Sequence, residues 1–374
     1  MAIRLLHTAD WQICKRFAGF EADAGAQLTV QRLNTITRIA ELAAQRGVDA
    51  VLVAGDVFET NAVKDDTLRR VMNATRAFDG PWVLLPGNHD PALVESAWTR
   101  LQRLGLPPNV LLALDPEPIL LAGDSLAVLP APLERRHEAR DITEWFNDAK
   151  TPGHAVRVGL AHGSVANRLP RPSEAPNTIA DDRSERAKLD YLALGDWHGT
   201  IEIAPRTWYS GTPEPDRFKD NDPGNVLLVT LDGPGAPPQV ERVPVGHFRW
   251  TSLSQHIAGA EDADALDALL GAPPDVERIV AELQLSGTVD LALRRCVGEI
   301  VERQSARYHV LQTDMDALVA EPTDDDLDRI DRMGFIRAAI DELRAKARDP
   351  ADPERETARD ALQRLYAEHL RLGV

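Results

Sequence analysis

Basic residues are in deficit. Lysine and arginine total 42 against 59 aspartates and glutamates, a net charge of −17, and a surface this acidic repels a phosphate backbone. Tight nucleic-acid binding by the surface at large is therefore excluded, and a phosphate ligand needs a local inversion of sign of the kind bound divalent cations supply. Cysteine is nearly absent. Cys14 and Cys296 stand far apart and form no repeated spacing, which argues against a disulfide framework or a thiolate metal cluster and points to a reducing compartment. No apolar run approaches the ~18 residues of a membrane helix, and Met1-Ala2-Ile3-Arg4-Leu5-Leu6 leads into polar residues rather than a cleavage signal. A cytoplasmic protein that does not engage a membrane is the expectation. Glycine-rich phosphate-cradling loops, internal repeats and long low-complexity runs are also missing, so no motif for ATP is present.

What remains is the composition of an ordinary globular protein, 43% hydrophobic and 27% charged over 374 residues, enough for two or three domains with their own cores. Residues 3–9 alternate as a strand, and Val30, Leu33, Ile36, Ile39, Ala40 and Ala43 repeat at helical spacing over Thr29 to Gln45. A strand over 49–54, a helix over Asp65 to Phe78 and a strand over 81–86 follow. Strand, helix and strand in alternation with short links predict an α/β fold with parallel βαβ units. Short strands at 110–112, 118–121 and 125–129 suggest antiparallel additions, and Asn167 to Arg183, rich in proline and arginine, reads as a surface loop. The acidic stretch around Glu261-Asp262 marks a border. Residues 1–255 form the main domain, and 256–350 a small α/β domain. That second domain has a strand over 276–285, a helix from Val289 to Gln304, a strand over 307–312 and a helix from Asp325 to Ala347. Residues 351–374 form a last helix, with Ala358, Ala361, Leu362, Leu365, Tyr366, His369 and Leu370 on one apolar stripe. That stripe reads as core or as a partner surface.

Chemistry gathers at the strand ends. Asp10-Trp11-Gln12, Gly55-Asp56-Val57-Phe58, Gly87-Asn88-His89-Asp90, Ala161-His162-Gly163 and Gly195-Asp196-Trp197-His198 each follow an apolar run, the way ligands arrive at one edge of a sheet. Phosphoester hydrolysis at neutral pH needs a nucleophile and neutralised phosphoryl oxygens, and a pair of metal ions ~4 Å apart supplies both. Asp56 is the natural bridging carboxylate. Asp10 and His198 complete one expected site, and Asn88, His162 and Asp196 the other. Oxygen and imidazole donors suit Mn²⁺, with Mg²⁺ as the alternative. His89, beside a ligand, is placed to stabilise the transition state or protonate the leaving oxygen, and Asp90 to orient its imidazole. His7 reads as a core residue or one that backs a ligand, not as a ligand itself. Trp11 and Trp197 wall the site or pack, and Arg217 and Phe218 touch nucleic acid or form a structural turn.

The phrases Gly55-Asp56, Gly87-Asn88-His89-Asp90 and Asp196-Trp197-His198 resemble the calcineurin-like metallophosphoesterases. Within that family, His7-Thr8-Ala9-Asp10-Trp11, Gly55-Asp56-Val57-Phe58 and Ser210-Gly211-Thr212-Pro213-Glu214 are similar to the DNA repair exonuclease group, the SbcD-type nuclease subunits and their archaeal and eukaryotic relatives. The resemblance covers about residues 1–250. It implies a four-layer α/β/β/α sandwich with a small C-terminal capping domain and terminal helices. It also implies two divalent ions, a DNA substrate, an SMC-like coiled-coil ATPase partner of SbcC type, and a possible homodimer. Two positions depart from the pattern. Gln12 stands where the group commonly has His, and Asp196 where it has the first His of Gly-His-x-His. Gln12 offers the first ion a weaker ligand, while Asp196 adds a hard oxygen to the second and favours Mn²⁺ or Mg²⁺ over Zn²⁺. Three functions stay open: a DNA exonuclease and endonuclease in repair, a phosphoesterase for a small molecule, nucleotide or phosphoprotein, and a weakly catalytic scaffold for the ATPase.

Overall fold

The computed structural model describes residues 2–169, 177–330 and 334–372. Two units divide the chain, Met1–Arg249 and Trp250–Val374.

The first unit is built on two six-stranded sheets. One uses β1 (Ile3–Thr8), β2 (Ala50–Val53), β3 (Trp82–Leu84) and β4 (Val110–Leu112), which run parallel. The other uses β5 (Ile119–Leu121), β6 (Leu126–Ala131) and β7 (Val156–His162), then, after a small ribbon of β8 (Ser164–Val165) and β9 (Thr178–Ile179), β10 (Tyr191–Gly195), β11 (Ile201–Ala204) and β12 (Thr207–Tyr209). The chain then returns to the first sheet with β13 (Asn225–Leu231), antiparallel to β1, and β14 (Gln239–Pro244). Strand orders are β14-β13-β1-β2-β3-β4 and β11-β12-β10-β7-β6-β5.

Strand pleating sorts the side chains into layers. Leu5, Ala50, Leu52, Val83, Val158, Leu160, Tyr191 and Ala193 fill the space between the sheets. Their neighbours Leu6, Val51, Val53 and Leu84 face the opposite way, onto helices α1 (Ala22–Arg46), α2 (Asp65–Ala74) and α3 (Ala97–Leu104). On the far side of the second sheet, Leu129, Phe146, Ala161, Leu192, Leu194 and Tyr209 form another cluster. Its cover is thin, a 3₁₀ turn at Glu144–Asn147 and the short α4 (Arg183–Arg186). This is the α/β/β/α order that the resemblance implies.

Helix α1 begins at Ala22, well before Thr29, and that shift changes its buried face. Leu28, Arg32, Thr35, Ile36, Ile39 and Ala43 are inside, while Val30 is 53% exposed. Helix α2 stops at Ala74, with a 3₁₀ turn over Thr75–Ala77. The 167–183 segment is not a simple surface loop. Residues 170–176 lie outside the described residues, but β9 pairs with β8, and buried Arg183 reaches Asp141 at 2.7 Å and Asn147 at 3.0 Å.

In the second unit, β15 (Arg249–His256), β16 (Ile279–Val289) and β17 (Val310–Ala320) form a sheet beside α5 (Ala260–Gly271) and α6 (Leu291–Ser305). Leu266, Leu270, Ala281, Leu283, Val297 and Ile300 form its core. Because β15 belongs to this sheet, the border lies at 249/250 rather than at 255/256. The expected strand over 276–285 starts later, since Val276–Arg278 is a 3₁₀ turn, and the one over 307–312 runs instead from Val310 to Ala320. The helix expected over Asp325 to Ala347 comes as α7 (Asp324–Ile330) and α8 (Phe335–Arg348). On the last helix, α9 (Arg355–Leu372), Leu362, Leu365 and Tyr366 pack with Leu327 and Ile340. Over those residues the stripe is core, whereas the Leu370 side chain lies outside the described ones; α9 belongs to the same unit as the capping sheet. Among the described residues no helix is long and apolar enough to cross a membrane.

Candidate metal centre

The five loops expected to carry ligands lie at the ends of β1, β2, β3, β7 and β10. Backbone strain is concentrated there. Asp10, Gln12, Asp56 and Asp196 have φ of 53°, 41°, 53° and 102°, a left-handed region that side chains other than glycine adopt rarely and at a cost. Glycine makes the close approach possible. A Cβ on Gly55, itself at φ 88°, would lie 2.3 Å from His162 Nδ1, and one on Gly87 would lie 2.2 Å from Asp56 Oδ1.

Donor atoms of Asp10, Asp56 and His162, all three buried, lie within 4.8 Å of one another. His162 Nδ1 donates to the Ala54 carbonyl at 2.8 Å, which leaves Nε2, aimed inward, as the ring nitrogen that a metal ion would take in exchange for a proton. Nε2 faces Asn88 Oδ1 at 3.1 Å, Asp56 Oδ1 at 3.5 Å and Asp196 Oδ1 at 3.9 Å. Three oxygens thus converge on one imidazole nitrogen, with no lysine or arginine of the described residues among them. That donor set fits a divalent metal ion.

The electrostatics say the same. Burial, reinforced by Asp56 and Asp196 against the pull of His198 and His162, pushes the Asp10 carboxyl up to about 6. Burial would lower His162, but Asp56, Asp10 and Asp196 outweigh it and hold the imidazole up at about 9. Burial also raises Asp196, against His162 and the Ser164 hydroxyl, which donates to Oδ2 at 2.9 Å. The cluster is short of positive charge.

The other expected ligands are differently engaged. Gln12 is buried, and its Oε1 accepts from Lys15 Nζ at 3.0 Å. His198 Nδ1 lies 2.9 Å from Arg217 Nη2 and 3.3 Å from Asp216 Oδ1. Arg217 also forms a fork on Asp216, at 2.9 and 3.0 Å, so its turn is anchored by an ion pair. His89 holds to Asp56 through its backbone N–H, which donates to Oδ1 at 2.9 Å. Its Nδ1 lies 3.1 Å from the Glu59 carbonyl, and its Nε2 4.0 Å from Asp56 Oδ2. Asp90 does not touch that imidazole. Its two oxygens accept from the N–H groups of Gly87 at 2.7 Å and Phe58 at 2.9 Å, so Asp90 braces the loops on either side of His89. Burial and Asp56 push its carboxyl up to about 8, against those two N–H donors.

Residues 3–229 match the family model described as calcineurin-like phosphoesterase. The chain belongs to the calcineurin-like phosphoesterase family. Calcineurin-like phosphoesterases are metal-dependent hydrolases, and the Asp10, Asp56 and His162 cluster is this member's candidate metal site. The chain is similar to the DNA double-strand break repair protein Mre11 of Methanosarcina acetivorans, at 23% identity over 353 residues that cover 91% of this chain and 55% of that protein. It thus spans about half the length of that relative. The SbcD component of the nuclease SbcCD of Bacillus subtilis is 27% identical over 273 residues, 62% of this chain and 67% of that one. Among solved structures, the purple acid phosphatase PPD1 of yellow lupin aligns at 15% identity and a TM-score of 0.44, over 66% of this chain and 52% of that chain. The family and these relatives bear out the resemblance to the DNA repair exonuclease group.

Behind this phosphoesterase site lies a brace that the sequence did not announce. Buried Arg32 of α1 donates to the carbonyls of Trp11 at 2.8 Å, Glu214 at 2.9 Å and Asp10 at 3.0 Å, and to Thr212 Oγ1 at 3.0 Å. The Glu214 carboxylate in turn accepts from Thr35, His247 N and Phe248 N. The Ser210 to Glu214 phrase therefore holds the Asp10 turn from behind. Trp11 packs edge-on against Trp82 and donates to Thr8, so it is a core side chain. His7 is fully buried between Tyr191 Oη at 2.9 Å and the Leu194 carbonyl at 3.1 Å. Burial, against the Leu194 hydrogen bond, pulls it down to about 3. Its folded value is below the unfolded one, so the stability it supports is whole above about 6.5 and drains as pH falls toward 3. At pH 5 the loss is about 2 kcal/mol, at roughly 1.36 kcal/mol per pH unit. Urea unfolding at pH 7 and pH 5 should show that extra loss in the wild type and not in His7→Phe.

Proposed function

We propose that this chain is a metal-dependent DNA phosphodiesterase, exonucleolytic and endonucleolytic, that works in DNA repair in the cytoplasm with an SMC-like coiled-coil ATPase. The observation that carries this reading is the convergence of Asp10, Asp56 and His162 in a chain similar over most of its length to a double-strand break repair protein. The acidic surface supports a partner that supplies the DNA-binding face, because a charge of −17 opposes DNA on its own. Asp56, His162 and Asn88, with Asp10 and Asp196, would hold the metal, and oxygen donors outnumbering nitrogen favours Mn²⁺, with Mg²⁺ next. When bound, the ion supplies charge neutralisation on the phosphoryl oxygens and an activated water.

The protein's own groups do the rest. The Ala54 carbonyl fixes the His162 tautomer, and the Asp196 N–H donates to the Asp10 carboxylate at 3.2 Å. His89 is partly exposed beside Asp56, where its imidazole can give a proton to the leaving oxygen. His89→Ala should keep the metal and slow turnover roughly 10² to 10⁴-fold, the usual contribution of a positioned acid. Metal loss equal to that of an Asp56 variant would contradict the role. The function itself is tested by digestion of single-stranded and duplex DNA ends with Mn²⁺, alongside a small bis-aryl phosphodiester. Cleavage of DNA ends that is lost in Asp56→Ala supports the reading. Cleavage of the small ester alone, even with the ATPase present, supports a small-molecule phosphoesterase instead.

A further inference from the structure

The sequence pattern leads to two ions, one of them on Asp10, Gln12, Asp56 and His198. Two of those four residues lie against protein cations. Gln12 Oε1, the only oxygen its side chain can offer an ion, already accepts from Lys15 Nζ at 3.0 Å. Lys15 Nζ is also 2.7 Å from Asp216 Oδ2. His198 Nδ1 lies 2.9 Å from Arg217 Nη2, while Arg217 forks onto the same Asp216. The anchor is well set: the Asp216 side chain is 1% exposed and Gln12 is 2% exposed.

These contacts have a common sense. A neutral amide stands where the pattern has imidazole, an ammonium sits against that amide, and a guanidinium sits against His198. Both cations are held by a buried carboxylate, and a guanidinium does not lose its proton in a protein. Positive charge already fixed at this spot opposes a second divalent ion. At the other expected site, Asn88, Asp56 and Asp196 oxygens face His162 Nε2 with no lysine or arginine of the described residues among them.

We propose that the Gln12 half of the centre is built around protein cations in place of a metal ion. The chain then binds one divalent ion, on Asp56, His162 and Asn88, and meets the remaining phosphoryl charge with Lys15 and Arg217. The inference rests on the metal-dependent reading of the site but not on DNA as the substrate. Any phosphate oxygen entering from the Gln12 side meets a lysine and an arginine.

Metal content decides it. The full chain is stripped with chelator, reloaded with excess MnCl₂, desalted and assayed by elemental analysis and electron paramagnetic resonance. The expected result is one Mn²⁺ per chain with the six-line spectrum of an isolated ion. Two ions with an exchange-coupled spectrum overturn the inference while leaving the metal-dependent function standing, and no ion at all overturns both. The double substitution Gln12→His and Lys15→Met removes the ammonium and restores an imidazole. It should take up a second Mn²⁺ with exchange coupling. A folded double variant that stays at one ion counts against the cations as the cause, and if the variant fails to fold, the wild-type measurement still decides.

Discussion

Asp56→Ala is expected to bind no Mn²⁺ at wild-type working concentrations and to hydrolyse phosphodiesters at less than about one-thousandth of the wild-type rate. The reason is position. Asp56 Oδ1 lies 3.5 Å from His162 Nε2 and accepts the His89 N–H at 2.9 Å, so one carboxylate both faces the donor cluster and holds the loop carrying His89. A metal contributes several kcal/mol of transition-state stabilisation, and each 1.36 kcal/mol is about tenfold in rate. Alanine carries a second liability at this position, because φ is 53° and alanine tolerates the left-handed region less well than aspartate or asparagine. Asp56→Asn separates the effects, since asparagine tolerates that conformation and removes only the charge. It should lose metal and turnover nearly as fully as alanine. Retention of the ion with turnover within tenfold of wild type would remove Asp56 from the ligand set.

Arg32→Met should destabilise the first unit by on the order of 3–5 kcal/mol, the range for stripping one partner from a buried charged network. The carbonyls of Asp10, Trp11 and Glu214 lose the guanidinium together, leaving one Thr212 hydroxyl to serve both Asp10 and Glu214, and under-satisfied buried acceptors are costly. Methionine fills similar volume, so the loss reports hydrogen bonding rather than a cavity. The Asp10 turn loses its support in the same step, and Mn²⁺ affinity should fall about 10 to 100-fold, as it does when groups behind a metal ligand are removed. Arg32→Lys keeps the charge without the planar fork and should restore only part of either quantity. Urea unfolding and Mn²⁺ titration on the three proteins measure both. An Arg32→Met protein of wild-type stability and affinity would mean that the turn supports itself.

The candidate metal residues are legible in the sequence and the brace is not, for a physical reason. A buried strand followed at once by a carboxylate, amide or imidazole is a local pattern, and Asp10, Asp56, Asn88 and His162 each carry it. Arg32 has no such local mark. A helix starting at Thr29 buries Val30 and Leu33, but the true inward row runs from Leu28 through Arg32 to Ile36 and Ile39. Its partners at Thr212 and Glu214 lie nearly half the chain away. Asp90 misleads in the opposite sense. Its place beside His89 predicts that it orients the imidazole, yet the tight turn folds its carboxylate back onto the Gly87 N–H three residues earlier. Lys15 and Asp216 belong to the same class as Arg32, since a contact between residues so far apart leaves no trace in spacing.

The account depends on separated loops gripping a divalent ion, and crystals of the protein soaked in Mn²⁺, with data collected at the manganese absorption edge, test that most directly. The predicted result is an anomalous peak bounded by Asp56, His162 and Asn88. A map with no peak there, or with manganese held only by surface carboxylates elsewhere, would contradict it.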